Sequence, residues 1–119
     1  MLSEFGKFIR KIRIDKGLRL YDMARDLGKS SAWLSYIETG KKSIPPGFAD
    51  EVADRYQLTA QQRKELNQAA ARATREFRLH IGENASATRI NTAYALARKF
   101  DSMDDETLEE FLKIINKGE

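Results

Sequence analysis

Few side chains in this sequence could do covalent chemistry. There is one histidine, His80, and no cysteine, so thiolate nucleophiles, thiolate metal sites and disulfides are all missing. Asp101, Asp104, Asp105 and Glu106 cluster, but they stand at the start of an apolar helical pattern, where carboxylates cap the helix and favour its dipole. The expectation is a protein that is not an enzyme, with no metal and no cofactor. The chemistry on offer is non-covalent. Ser31, Ser35 and Tyr36 bring hydroxyls, Ala32 a methyl, and Lys29, Lys41 and Lys42 ammonium groups, all within a short run of chain. Such groups bind a polar, anionic surface.

The run that must position them is Leu18 to Lys42, and its pattern predicts two short helices around a glycine turn. Leu20, Met23, Ala24 and Leu27 fall at i, i+3, i+4 and i+7, one face of a 3.6-residue period. Gly28 follows at once, suited to the left-handed residue that ends many helices. Ser30 is a good N-cap for the second helix. That helix turns Trp33, Leu34 and Ile37 inward and stops at Thr39-Gly40. The spacing of Trp33 with Leu34 and Ile37 favours a core or backbone-covering role over a base contact. The outer face is left to Ser31, Ala32, Ser35 and Tyr36. Helix, tight turn, helix with a polar second helix is the layout that enters the major groove of duplex DNA.

These residues resemble the helix-turn-helix of the Xre or lambda-repressor-like family. The matching elements are Leu18, Met23-Ala24, Gly28-Lys29-Ser30 and Leu34-Ser35-Tyr36-Ile37-Glu38-Thr39-Gly40, within a similarity spanning roughly Phe5 to Leu58. The resemblance implies a five-helix domain that binds double-stranded DNA. It implies base reading by Ser31, Ala32, Ser35 and Tyr36, and phosphate contact by Arg19, Lys29, Ser30, Thr39, Lys41, Lys42 and Ser43. Glu38 would orient the fold, since a carboxylate near phosphate repels. Where the family usually has Thr-Gln at the start of the first of these helices, this chain has Arg19-Leu20. A capping hydroxyl and a phosphate-contacting amide are thereby lost, and Arg19 can replace only the second. Without Arg, Gln or Asn among the base-facing positions, specificity rests more on shape and half-site spacing than on two-pronged base contacts.

Composition agrees with a polyanionic partner. The net charge is only +3 over 119 residues. Residues 1–45, however, hold ten Lys/Arg against five Asp/Glu, while residues 46–119 hold eleven against thirteen. The basic excess thus coincides with the motif. No apolar run has the length of a membrane helix and the first ten residues lack a signal-peptide core, so a cytoplasmic protein with no membrane partner is expected.

The remaining chain supplies the frame. Ser3 can cap a first helix from Glu4 to about Lys16, with Phe5, Phe8, Ile9 and Ile12 inward. Lys7, Arg10, Lys11 and Arg13 lie mostly off that stripe, on a solvated or phosphate-facing side. After Ile44-Pro45 a helix can begin at Pro46, burying Phe48, Val52, Ala53 and Tyr56. Thr59 and Gln62 form a capping box for a fifth helix carrying Leu66, Ala69, Ala70 and Ala73. Residues 1–74 then make one helix-turn-helix domain, and 75–119 an extension.

In that extension Glu76 to Ile81 alternates with period two, which reads as a strand with Phe77, Leu79 and Ile81 on one side. A lone strand needs partners for its backbone. It can pair with itself across a two-fold axis, pair with another protein's sheet, or be replaced by a helix continuing from Ala73. A helix from about Ser86 to Asp101 and another capped by Asp104 follow. The second places Leu108, Phe111, Leu112 and Ile115 on one stripe. The expected architecture is therefore mainly α: a five-helix domain plus one short strand and two helices acting as a dimerisation element. Phe77, Leu79, Ile81, Ile90, Tyr94 and Phe111 would form the homodimer interface. The leading expectation is a dimeric repressor on a palindromic operator, read through the helix Ser31–Glu38. The alternative is an antitoxin that binds a toxin protein and represses its own operon.

Overall fold

The computed structural model describes residues 1–74 and 76–117, and among them there are seven α-helices, one 3₁₀ turn and no strand. The chain divides into two compact units, Met1–Phe77 and Arg78–Glu119.

The first unit holds α1 (Glu4–Asp15), α2 (Leu20–Asp26), α3 (Ser31–Thr39), α4 (Phe48–Arg55) and α5 (Ala60–Ala73). Local chemistry sets most of the boundaries. The Ser3 hydroxyl accepts from the Gly6 N–H at 2.9 Å, and Ser30 accepts from the Trp33 N–H at 3.0 Å. Thr59 and Gln62 cap α5 reciprocally, at 3.1 and 2.9 Å. Gly28 and Gly40 adopt φ of 70° and 78°, a region where a Cβ is penalised, and so let the chain leave α2 and α3 sharply. One boundary departs from expectation. α4 begins at Phe48, because Gly47 takes φ 88° and acts as the N-cap, leaving Pro46 in the preceding turn.

Packing α1, α3, α4 and α5 together buries Phe5, Ile9, Leu34, Ile37, Phe48, Val52 and Leu66, with Met23 and Ala24 closing the α2 side. Each such side chain removed from water stabilises the fold by roughly 1.5–3 kcal/mol before entropy is set against it. Two contacts join α1 to the end of α3. Gly6 lies so close that a Cβ there would sit 1.9 Å from the Glu38 carbonyl oxygen. No larger residue fits without separating the helices. Arg13 and Glu38 are both buried and form an ion pair at 2.5 Å. This corrects the placement of Arg13 among the solvated or phosphate-facing cations. Position 13 is one turn after Ile9, so the packing of α3 covers it.

The second unit holds α6 (Ala87–Lys99), a 3₁₀ turn (Phe100–Ser102) and α7 (Asp105–Ile115). Ser86 and Asp104 accept from the N–H groups of Arg89 and Thr107 at 3.1 and 2.8 Å, as N-caps do. α6 thus starts one residue after its cap, and its last turn tightens into the 3₁₀ turn. No described residue of this unit is buried.

The strand expected over Glu76–Ile81 is not formed. Residues 76–81 are neither strand nor helix, and α5 ends at Ala73 with Thr74 extended. A ladder needs a second strand, and the described residues of one chain contain none to pair with. The continuous-helix alternative fails as well, across the residues described.

Candidate nucleic-acid interface

α3 is a nine-residue helix, about 13 Å long, seated by Leu34 and Ile37, both fully buried. Of the four residues expected to read bases, none is buried. Ala32 and Tyr36 are exposed, and Ser31 and Ser35 are half-buried at the margin of the same face. Trp33 is half-buried and meets Phe48 edge-on, with ring centroids 5.1 Å apart. It is thereby a brace between α3 and α4, covered on one side by the Lys29 ammonium 5.0 Å from its ring.

The electrostatics of this helix follow from one burial. Glu38 is the only acidic residue in α3, and its carboxylate is turned into the unit against Arg13. The outward face is left with hydroxyls, a methyl and cations. Lys29 precedes the helix, and Lys41 follows it with its ammonium 5.9 Å from the Tyr36 ring. Both lysines therefore flank the α3 surface, and Lys42 and Ser43 continue the exposed loop. A concavity of about 140 Å³ opens there, lined by Ser3, Ile37, Gly40, Lys41, Lys42, Ser43, Ile44 and Ala73. Cations without a competing carboxylate favour phosphate oxygens.

Backbone accounting narrows how that loop can act. The N–H groups of Gly40, Lys41 and Lys42 donate to the Ile37 and Tyr36 carbonyls at 3.3, 2.9 and 3.3 Å. They close the end of α3, so the groups this loop offers to an anion are its side chains. The Thr39 hydroxyl donates to the Ser35 carbonyl at 3.0 Å, which turns its proton toward its own helix. Ser30, which accepts through its oxygen, keeps its O–H proton for another partner.

At the start of α2 the missing hydroxyl cap is offset by a residue sequence reasoning passed over. The Asp22 carboxylate accepts from the Arg19 backbone N–H at 3.0 Å and from its Nε at 3.2 Å. These hydrogen bonds hold Asp22 below the usual carboxylate range, the backbone bond first. Arg19 remains 83% exposed along its side chain. The pair costs little to open when an anion competes, because water screens the exposed Arg19 guanidinium. The signal was present in the spacing: Asp22 stands three residues after the cap, the position from which an acid reaches back.

A second missed contact fixes α2 against α4. The Tyr56 phenol donates to Asp26 at 2.9 Å, and Arg55 pairs with the same carboxylate at 3.4 Å. Burial, with the Asp26 hydrogen bond second, pushes the Tyr56 phenol up to about 12.

A family model described as a helix-turn-helix domain matches residues 4–66. The chain belongs to the helix-turn-helix family. The match agrees with the Xre-like kinship expected from Leu34 to Gly40, and it covers α1 to α4 and the first half of α5. The protein thus carries a DNA-binding helix-turn-helix domain, with α2 and α3 as its two named helices. No curated protein and no solved structure matches the chain. Among the described residues no helix is long and apolar enough to cross a membrane.

Proposed function

We propose that this helix-turn-helix protein is a sequence-specific transcriptional regulator, a dimeric repressor whose α3 enters the major groove of a palindromic operator. The observation that carries the reading is the outer face of α3, with Ser31, Ala32, Ser35 and Tyr36 open to a partner and Glu38 withdrawn from it. Serine hydroxyls donate or accept toward several bases, Ala32 suits a thymine methyl, and Tyr36 reaches a base edge or a phosphate oxygen. Lys29, Lys41, Lys42 and Arg19 supply charge to the phosphates, with Ser30 and Ser43 beside them. Thr39 acts chiefly within its own helix. Two copies related by a two-fold axis would set their α3 helices about 34 Å apart, one turn of duplex. Occupying a promoter then excludes polymerase. The dimer residues are Phe77, Leu79, Ile81, Ile90, Tyr94 and Phe111, and five of the six are exposed large side chains within a single chain. The protein acts in the cytoplasm as a binding module, without catalysis.

The test is a binding selection on random duplexes followed by titrations against salt. Lys41→Ala with Lys42→Ala should weaken binding to every sequence and reduce the slope of log K against log salt by about 2. Ser35→Ala or Tyr36→Ala should instead change the preferred operator. Equal losses on all duplexes from both sets would remove sequence reading by α3. The antitoxin alternative draws on residues 76–81, which lie outside any helix or strand and are exposed from 76 to 80, so that they suit addition to a foreign sheet edge. Co-expression with proteins encoded beside it, followed by co-purification, separates that role from self-sufficient repression.

A further inference from the structure

The two helices of the second unit leave their apolar faces open to each other's absence. α6 and α7 touch only sparsely: Leu96, Met103 and Leu108 are half-buried, and no described side chain of the unit is fully buried. On α6 the apolar stripe runs through Ile90, Tyr94 and Ala97. On α7 it runs through Leu108, Phe111, Leu112 and Ile115. In residues 78–117 eight large apolar side chains are 44–70% exposed. Five of them, Ile90, Tyr94, Phe111, Leu112 and Ile115, lie on the two stripes, and at roughly 100 Å² apiece they offer about 500 Å² from each partner, or about the 1,000 Å² in all that a specific interface needs.

The charges beside these stripes say what covers them. α6 carries Arg89, Arg98 and Lys99 and no acid, whereas α7 has Asp105, Glu106, Glu109 and Glu110 before its first base, Lys113. At 100° per residue, Arg98 flanks the α6 stripe on the side that Asp105 and Glu109 flank on α7. Its guanidinium already leans on that stripe, 5.8 Å from the Tyr94 ring. Two helices placed face to face and antiparallel bring same-side flanks together. That alignment sets the C-terminal end of α6, with Arg98, against the N-terminal half of α7, with Asp105 and Glu109.

We propose that a second copy of the chain supplies this cover, with α6 of one protomer packed antiparallel on α7 of its partner and the reverse contact made at the same time. The exchange buries both stripes, pairs basic with acidic flanks twice, and closes under two-fold symmetry. It rests on the dimeric reading above and assigns that reading's interface to α6 and α7, adding Leu112, Ile115, Arg98 and Glu109 to it.

The experiment is sedimentation equilibrium of the full chain without DNA, so that its outcome is independent of operator binding. The unaltered protein should be a dimer at micromolar concentration. Arg98→Glu and, separately, Glu109→Arg should each weaken dimerisation about tenfold, since each reverses two symmetric contacts. Mixed in equal amounts, the two variants should form a heterodimer at least as tight as the original, because both contacts become attractive again. Leu112→Asp with Ile115→Asp should be monomeric, with unchanged fluorescence from Trp33 showing the first unit intact. A monomeric parent chain, charge variants that self-associate like the parent, or a mixture that stays apart would each overturn the proposal. The last result would place the α6–α7 contact within one chain.

Discussion

The two units differ in where their apolar surface goes. Among the described residues, the fifteen buried apolar side chains belong to the first unit, and the second has none. The second nevertheless has well-capped helices and a clean apolar stripe on α7. Capping and periodicity are therefore not what separates the two. The first unit has five helices arranged so that their stripes converge, and the second has two whose mutual contact is too slight to bury a core. Local sequence rules can complete a helix, but only neighbours can complete a core. The unburied stripes of the second unit are the surface we propose a second copy covers, and the polar face of α3 is the one we propose meets DNA.

Removing one half of the buried ion pair should be the harshest break in the comparison. Glu38→Ala leaves the Arg13 guanidinium buried without its carboxylate, which costs about 3–5 kcal/mol. Denaturant unfolding followed through Trp33 should show the loss, and DNA binding should fail with it. An unchanged midpoint would mean that Arg13 reaches water. Next in size, Gly6→Ala forces a methyl onto the Glu38 carbonyl and should destabilise the first unit by about 2–3 kcal/mol. Thermal melting of that variant checks it. No substitution of comparable size at Ile114 or Tyr94 should change the stability of the first unit.

Tyr56→Phe should be milder, about 1 kcal/mol, through loss of the hydrogen bond to Asp26. It also has a signature in pH. The phenol titrates near 10.0 when unperturbed and near 12 in the fold, so the folded state holds a proton that the unfolded chain gives up. The resulting stabilisation is complete below about pH 10 and disappears as pH rises through 12. Unfolding curves between pH 9 and 12 should show a fall in stability that is smaller in the phenylalanine variant. At the acid end the sign reverses. Asp22 and Asp104 are held below their usual range by the backbone N–H groups they cap, of Arg19 and Thr107 respectively. Their stabilisation is present above about pH 4 and is lost as pH falls through the lowered values. The smallest effect is kinetic: amide exchange at low protein concentration should be slowest in α1, α3 and α4 and fastest in α6 and α7, with the gap narrowing as concentration rises.

Much of the interface was legible without coordinates. The spacing of Leu34 and Ile37 left only one side of α3 for Ser31, Ala32, Ser35 and Tyr36, and Ser30, Gly28 and Gly40 marked the ends of the turn. The contacts that hold α3 were harder to read. A glycine inside an otherwise apolar-periodic helix signals close approach, yet nothing adjacent to Gly6 in sequence says that Glu38 is what approaches it. Arg13 looked like one more surface cation. The alternation over residues 76–81 meets one condition for a strand, but a ladder also needs a partner, which a local pattern does not supply.

The amino-acid sequence by itself settled the helices, their caps, the glycine turn and the polar side of α3, because each depends on residues within a few positions of one another. Tertiary structure decided that Glu38 faces Arg13 and that Tyr56 reaches Asp26. It also decided that α6 and α7 leave most of their stripes exposed. Those outcomes depend on which surfaces meet across 25 or 30 residues of chain, and a distance of that kind is fixed by packing rather than by any local preference.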